Sequence, residues 1–475
     1  MRIDEQVFKP NDIRGIYPTQ LNEQFAFMLG QALVHALGSR RLLVGHDSRT
    51  SSAPLCAALT EGTRSAGGDV AALGLCPVEL VYYVMGCDVR FDMAVMVTAS
   101  HNPPQFNGFK LVARGVEPIS ERSGLAVLRR WLLEAPAAAP PAAKALQKTV
   151  FPEDDYLRFA LSLAGVPQVR SLKVVVDPGN GTGGLLWTGL DDALGIEPIR
   201  MNFEPDGRFP AHDPNPALLE NLIPLRDRVT VERADIGFAY DGDADRTVAV
   251  LTDGHIMDGS EMILALFQHL FEGDQEARCA VSMVTSRKVL DFMRGQGSEP
   301  LIVPVGHAKV KSILRRDPHI AFAGEQSGHY FYRQFHCAES SLITTLCLLH
   351  MAASSRLEPL VQSLPGPWIA PDREPAFHFE RQEDSLAACR SAARRAVEMF
   401  PDPLEIMCER DWRVARHCRP ADIEQAEAIR VDYRHWWFCV RPSATEPLAR
   451  LTAEAHTDED LMQKLGALSA LFNTA

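Results

Sequence analysis

No stretch of this sequence approaches the ~18 consecutive apolar residues of a membrane-spanning helix. The first residues, Met1-Arg2-Ile3-Asp4-Glu5, carry acid where a secretory leader needs an apolar run. The expectation is a cytoplasmic chain without a membrane partner. Paired cysteines are missing as well. Ten are scattered from Cys56 to Cys439 with no Cys-x-x-Cys spacing, which fits buried reduced thiols better than a disulfide frame or a zinc site. Basic residues are outnumbered, 48 Lys and Arg against 61 Asp and Glu. The resulting formal charge of −13 is the wrong sign for a nucleic-acid partner, whose phosphates are held by basic surfaces. It leaves room for a small anionic substrate gripped by basic groups inside a low-dielectric cleft. Short-period repeats are also lacking, although strand, polar loop and helix recur on a domain scale of about 100 residues.

What is present is an ordinary globular composition, 46% hydrophobic and 23% charged, over 475 residues. A single core stops growing at about 250 to 300 residues, so several domains must share this length. Apolar, β-rich runs at 41–45, 93–98, 173–177, 234–240 and 247–251 alternate with helical patterns, which reads as α/β layers. An Ala/Pro stretch at 134–145 has no helical period and reads as a linker. Turn signals at Thr252-Asp253-Gly254 and Leu364-Pro365-Gly366-Pro367 mark two more breaks. The units expected are 1–150, 151–256, 257–367 and 368–475.

Five loops hold residues suited to chemistry. Thr98-Ala99-Ser100-His101-Asn102-Pro103-Pro104 follows an apolar strand, where open α/β sheets present reactive groups, with His101 and Lys110 as candidates to steer the Ser100 hydroxyl. Plain turn chemistry explains the same residues. Asp241-Gly242-Asp243-Ala244-Asp245-Arg246 sets three carboxylates on a tight loop, hard oxygen ligands for one small cation and too few for a closed calcium cage, so magnesium is expected. An acidic surface turn is the alternative. Gly324-Glu325-Gln326-Ser327-Gly328-His329 offers groups suited to sugar hydroxyls, or equally a capped helix start. Arg441-Pro442-Ser443-Ala444-Thr445-Glu446-Pro447, with Arg450, has the parts of a phosphate cradle or of a polar surface loop. Gly179-Asn180-Gly181-Thr182-Gly183-Gly184, with Glu197 further on, fits the dinucleotide fingerprint and supports a rival, NAD-dependent oxidoreductase reading. It explains neither the serine loop nor the aspartates, and ranks as a structural strand-to-helix turn.

Taken in order, the serine, three-aspartate, Gly-Glu-x-Ser-Gly-His and Arg-x-Ser-x-Thr loops resemble the α-D-phosphohexomutase superfamily over essentially the whole chain. Asp12-Ile13-Arg14-Gly15-Ile16, Val44-Gly45-His46-Asp47-Ser48-Arg49 and Pro304-Val305-Gly306-His307 resemble family segments too. The run from Ser100 to Lys110 is most similar to the phosphomannomutase/phosphoglucomutase branch. That resemblance implies three related α/β domains with mixed sheets and a smaller C-terminal α+β domain around a central cleft. It implies interconversion of hexose 1- and 6-phosphates of mannose or glucose, through phosphorylated Ser100 and a hexose 1,6-bisphosphate that is both intermediate and activator. Phosphoglucosamine mutase is the alternative within the class. Outside it stand the oxidoreductase and an inactive sugar-phosphate binding protein.

Residue by residue, the resemblance implies that Asp241, Asp243 and Asp245 hold magnesium with an oxygen of phosphorylated Ser100. Glu325 and Ser327 read the sugar, and Arg441, Ser443, Thr445 and Arg450 hold the non-reacting phosphate. His101, Lys110, Arg246, His307 and His329 are candidates for proton transfer or phosphate neutralisation, and Arg14 for substrate binding. Five places depart from the pattern: Asn11 for a tyrosine, Val284 near a usual lysine, Ala444 for glycine or asparagine, Gln326 as in the phosphoglucosamine mutases, and Cys337-Ala338-Glu339-Ser340 for an Asp-Gly pair. The aromatic run Tyr330-Phe331-Tyr332 resembles the mannose/glucose branch instead.

Overall fold

The computed structural model describes residues 3–134, 153–165, 172–274, 276–366, 368–371, 374–443 and 446–472. The stretch expected as a linker, apart from Glu134, lies outside them, as do Pro367, Ala444 and Thr445. Four sheets follow one another along the chain, the first three with orders that differ in detail but share a plan.

In the first, Asp69–Leu75, Arg41–His46 and Met93–Val97 run parallel, and Met93–Val97 then pairs antiparallel with Phe106–Ala113. In the second, Ile199–Arg200, Val174–Asp177 and Ile236–Tyr240 are parallel, and Ile236–Tyr240 pairs antiparallel with Thr247–Leu251. In the third, Leu301–Val303, Arg278–Ser282 and Ile320–Gly324 are parallel, and Ile320–Gly324 pairs antiparallel with Tyr330–Tyr332. The inner parallel strands Arg41–His46, Val174–Asp177, Ile236–Tyr240 and Arg278–Ser282 are buried along nearly their whole length because helices cover both faces. Each of these three sheets therefore contains one such hairpin, and the hairpin tips are 98–105, 241–246 and 325–329. These are the serine, aspartate and Gly-Glu-x-Ser-Gly-His motifs.

The fourth sheet is antiparallel throughout, ordered from Ala376–His378 through Leu448–Ala455, Trp436–Pro442 and Ala428–Asp432 to Glu405–Arg410 and Arg413–Ala415. Helices Gln382–Met399 and Asp458–Phe472 pack on it through Ala388, Ala392, Ala396, Leu461 and Leu468.

Polar contacts join the units where their cores meet. Tyr156 and Ser340 share a hydrogen bond of 2.9 Å between their hydroxyls. The Leu342 amide, at the start of helix Ser341–Ala353, donates to Glu79 at 3.3 Å. Ser340 caps that helix by accepting from Ile343, so the turn lacking the Asp-Gly pair still opens a helix. Beside it, Glu339 forms a buried ion pair with Lys311 at 2.7 Å.

Candidate active site

Ser100 sits at the first hairpin tip with φ of 51°, a left-handed conformation that a serine adopts only when its surroundings fix it. They do so through Arg49. Its fully buried guanidinium donates to the carbonyls of Ser100 at 2.8 Å, Pro103 at 2.7 Å and Phe106 at 3.0 Å, and also to that of Asn102. Asp47 pairs with the same guanidinium at 3.1 Å and accepts from Thr98 at 2.7 Å, while Thr98 in turn accepts from the Ser100 amide. Arg14 reaches the loop from the strand Ile13–Ile16, donating to the Asn102 side chain and pairing with Asp12.

The aspartate tip closes on this loop. Asp241 Oδ1 accepts from the amides of Asp245 and Arg246 at 3.0 and 3.2 Å, and its Oδ2 accepts from Ser100 Oγ at 2.7 Å. Ala244 takes up φ of 60° to complete the turn. Gly242 is required here, because an added Cβ would lie 2.5 Å from the Ser100 carbonyl oxygen. Behind it stands the glycine turn that matched a dinucleotide fingerprint. A Cβ on Gly181 would meet the Gly242 carbonyl oxygen at 2.8 Å, one on Gly183 would meet the Tyr240 ring at 2.8 Å, and the Thr182 amide donates to Gly242. These glycines let the backbone approach the aspartate loop, which gives the turn a structural reason. A short 3-10 helix, Gly183–Trp187, follows them.

All three aspartates are buried, and one oxygen from each lies within 4.8 Å of the others. Lys110 approaches Asp243 at 2.7 Å and Asp245 at 2.5 Å from the strand Phe106–Ala113, yet Asp243 Oδ1 has no hydrogen-bond donor. Burial and the neighbouring Asp245 and Asp243 charges push Asp241 up to about 8. Burial pulls the Lys110 ammonium down, but the aspartates outweigh it and hold it above the ordinary lysine value. A compact, dry group of carboxylates with an unmatched oxygen fits a hard divalent cation.

The third tip supplies the other wall. Glu325 accepts from the Gly306 amide at 2.6 Å, and His329 Nδ1 lies 3.0 Å from Ser327 Oγ and 3.3 Å from Glu325. The other ring nitrogen of His329 stands 3.2 Å from Asp245 and 3.4 Å from Arg246 Nε, so this tip and the aspartate tip are bonded together. Burial lowers His329, but Asp245 outweighs it and the ring is raised to about 9. His307 is 6.2 Å from His329 between ring centres, and its buried Nδ1 has no partner. Burial and the nearby cations keep His101 and His307 well below the usual imidazole range. His101 Nδ1 is 3.3 Å from Ser100 Oγ. The motif 325–329 thus forms a hairpin tip and does not start a helix.

Ser100, His101, Lys110, Arg14, the three aspartates, Arg246, His307, Glu325, Ser327 and His329 are joined by these contacts into one cluster. Arg441, Ser443 and Arg450 form a second group on the fourth sheet, where Arg441 and Arg450 are direct cross-strand partners. Glu374 lies between their guanidinium groups, 3.0 Å from Arg441 and 3.2 Å from Arg450, and also accepts from Thr452. The Ser443 amide donates to Leu448 at 2.8 Å, which closes the loop. Thr445 falls outside the described residues.

Four family models match in succession. They are the alpha/beta/alpha domains I, II and III of phosphoglucomutase/phosphomannomutase over residues 5–128, 154–254 and 258–367, and its C-terminal domain over 385–467. The chain belongs to the phosphoglucomutase/phosphomannomutase family. It is 31% identical over 460 residues to a protein named phosphohexose mutases from Xanthomonas campestris pv. campestris (strain B100), with 96% of each chain covered. It is 30% identical over 465 residues to the phosphomannomutase of Escherichia coli (strain K12), again with 96% of each covered. Among solved structures, a phosphoglucomutase/phosphomannomutase family protein from Burkholderia thailandensis superposes with a TM-score of 0.81 at 28% identity, covering 99% of this chain and 98% of that one.

In this member of the phosphoglucomutase/phosphomannomutase family, two residues that hold the site together escaped the motif reading. Arg49 was quoted only as part of a family-like run, although an arginine two residues after an aspartate at the end of a buried strand is a visible signal. Glu374 carried no signal, since nothing in its neighbourhood shows that the strand beside it pairs with Arg450. The departures also find places. Asn11 Nδ2 lies 3.8 Å from where a Gly306 Cβ would stand, and Val284 is buried.

Proposed function

We propose that this protein is a phosphohexomutase that uses magnesium and a phosphoserine at Ser100 to exchange phosphate between the 1- and 6-hydroxyls of mannose or glucose, working in the cytoplasm with its cysteines outside disulfides. The observation that carries the reading is the Ser100 hydroxyl held 2.7 Å from Asp241 inside the buried aspartate group. Among the described residues no helix is long and apolar enough to cross a membrane.

Asp241, Asp243 and Asp245 would hold the cation with an oxygen of phosphorylated Ser100, and the bound ion supplies positive charge to a phosphoryl group in transfer. Around it the protein's own groups position and neutralise. Lys110 and Arg246 bring fixed charge to the same point, and Arg49 keeps the nucleophile's loop from relaxing. In the first half-reaction a sugar hydroxyl forms a bond to phosphorus while the bond from phosphorus to Ser100 Oγ breaks. The hydroxyl proton leaves to the cleft, and Ser100 regains one, with His101 Nδ1 within reach of Oγ. The bisphosphate then presents its other phosphate to Ser100 and the step runs in reverse. Glu325 and Ser327 hold the sugar, while Arg441, Ser443, Thr445 and Arg450 grip the phosphate that does not react.

A coupled assay with mannose 1-phosphate, glucose 1-phosphate and glucosamine 1-phosphate in parallel tests this, with magnesium and a trace of hexose bisphosphate, for wild type and Ser100→Ala. Turnover of the mannose or glucose ester that vanishes in the variant is expected. Absence of turnover for all three by protein carrying phosphorylated Ser100 would overturn the reading in favour of a binding protein.

A further inference from the structure

Gln326 lies at the tip between Glu325 and Ser327, and its type is the one that resembles the phosphoglucosamine mutases. Its side chain is engaged elsewhere. Gln326 Oε1 accepts from Ser260 Oγ at 2.6 Å, and the same Ser260 oxygen accepts from the Ser286 amide at 2.8 Å. Ser260 is fully buried at the start of helix Gly259–Phe271, so this hydroxyl uses its one proton and a lone pair on two separate segments. The tip rests directly on that helix start, since a Cβ on Gly259 would lie 2.5 Å from the Gln326 carbonyl oxygen.

The connection continues into the fourth sheet. Arg287 donates its amide to Glu454 Oε2 at 3.0 Å, and Trp437 Nε1 donates to the same oxygen at 2.7 Å. Arg430, fully buried, stands 3.8 Å over the Trp437 ring and donates to the carbonyls of Met283 and Thr285 at 2.8 and 2.7 Å. The segment 283–287 is therefore fastened to Ser260 on one side and to the fourth sheet on the other. Trp437 belongs to the strand Trp436–Pro442, which also carries Arg441.

We propose that Gln326 is a positioning residue which, through Ser260 and the 286–287 peptide, ties the tip bearing Glu325 and Ser327 to the sheet bearing Arg441, and does not read the sugar's C2 substituent. The proposal rests on the phosphohexomutase reading. A ligand gripped at its ring by one element and at its phosphate by another is bound best at one spacing of the two, and small errors in that spacing are costly. Methionine at 326 offers Ser260 only a weak acceptor.

The test compares wild type, Gln326→Met, Ser260→Ala and the double variant. KM and kcat are measured for the three hexose 1-phosphates, dissociation constants for glucose 6-phosphate by calorimetry, and melting temperatures alongside. Each single change should raise KM and the dissociation constant about 3- to 10-fold, the range of one lost hydrogen bond. The increase should be the same for every sugar, and the double variant no worse than the worse single. Strictly multiplicative effects, unchanged affinity in Gln326→Met, or a glucosamine-to-glucose ratio that moves in Gln326→Met but not in Ser260→Ala would each overturn the tie. Calorimetry needs no turnover, so the tie can fail or stand separately from the activity, and wild type that binds no glucose 6-phosphate overturns both.

Discussion

The two ends of the site are built in opposite ways. Around Ser100 the three aspartates, Lys110, Arg14 and Arg49 are buried, the partners come from three hairpin tips and the strands beside them, and loop backbone is held by side chains such as Arg49. Around Arg441 the charges are partly exposed, and their spacing comes from strand pairing, with one carboxylate from a third strand's approach completing the set. The groups proposed to take part in bond exchange are thus fixed from all sides, where a preorganised, low-dielectric environment strengthens each interaction. The groups proposed to grip the non-reacting phosphate are mounted on a single sheet and keep contact with water.

That contrast can be broken most sharply at the nucleophile. Ser100→Ala should lower turnover by roughly 10⁴-fold or more, with a melting temperature near wild type, measured in the coupled assay and by calorimetric scan. Removing the cation with a chelator should cost on the order of 100-fold, restored by magnesium. Asp243→Asn should also lose the rise in melting temperature that magnesium gives wild type, because a ligand bound only by the folded state stabilises it.

Arg49→Met removes the centre's support and leaves Asp47 buried without its cation, at a cost of about 3 to 5 kcal/mol, read as a lowered denaturant midpoint along with lost turnover. At the other end, Arg441→Ala should raise KM about 10-fold or more while kcat changes little, the sign of a contact equally strong in ground and transition state. Glu374→Gln should have the smallest effect. It removes the carboxylate shared by two facing guanidinium groups and leaves Arg450 only the looser Glu446 at 3.9 Å, so sulfate should inhibit the variant a few-fold more strongly than wild type, at about the strength of one exposed charge contact. Equal inhibition of both proteins would show that the carboxylate does not shield the cradle.

The comparison also explains what could be read without a structure. The serine and aspartate loops were legible because their working residues lie within ten positions of one another, after runs such as 93–98 and 234–240 whose β character is plain. The α/β class followed from the alternation of those runs with helices. The link between Ser100 and Asp241 spans 141 positions, and only the order of motifs hinted at it. Glu374 to Arg441 and Gln326 to Ser260 are side-chain pairings across 67 and 66 positions, set by strand register and helix packing. No local pattern records them. The Gly179 to Gly184 turn, ranked as structural and found so, could still support a rival because glycines that let backbone approach backbone look the same in sequence as glycines that let backbone approach a phosphate.

The closed hairpins also have a consequence for how the chain can change. Thr247 pairs with Tyr240 and Tyr330 with Gly324, so the aspartate and sugar tips each have a length fixed by the ladder beneath them. One residue added to either would slip the returning strand by one place and turn its inward side chains outward. These tips can vary in residue type but not in length, so insertions and deletions should collect elsewhere in the chain.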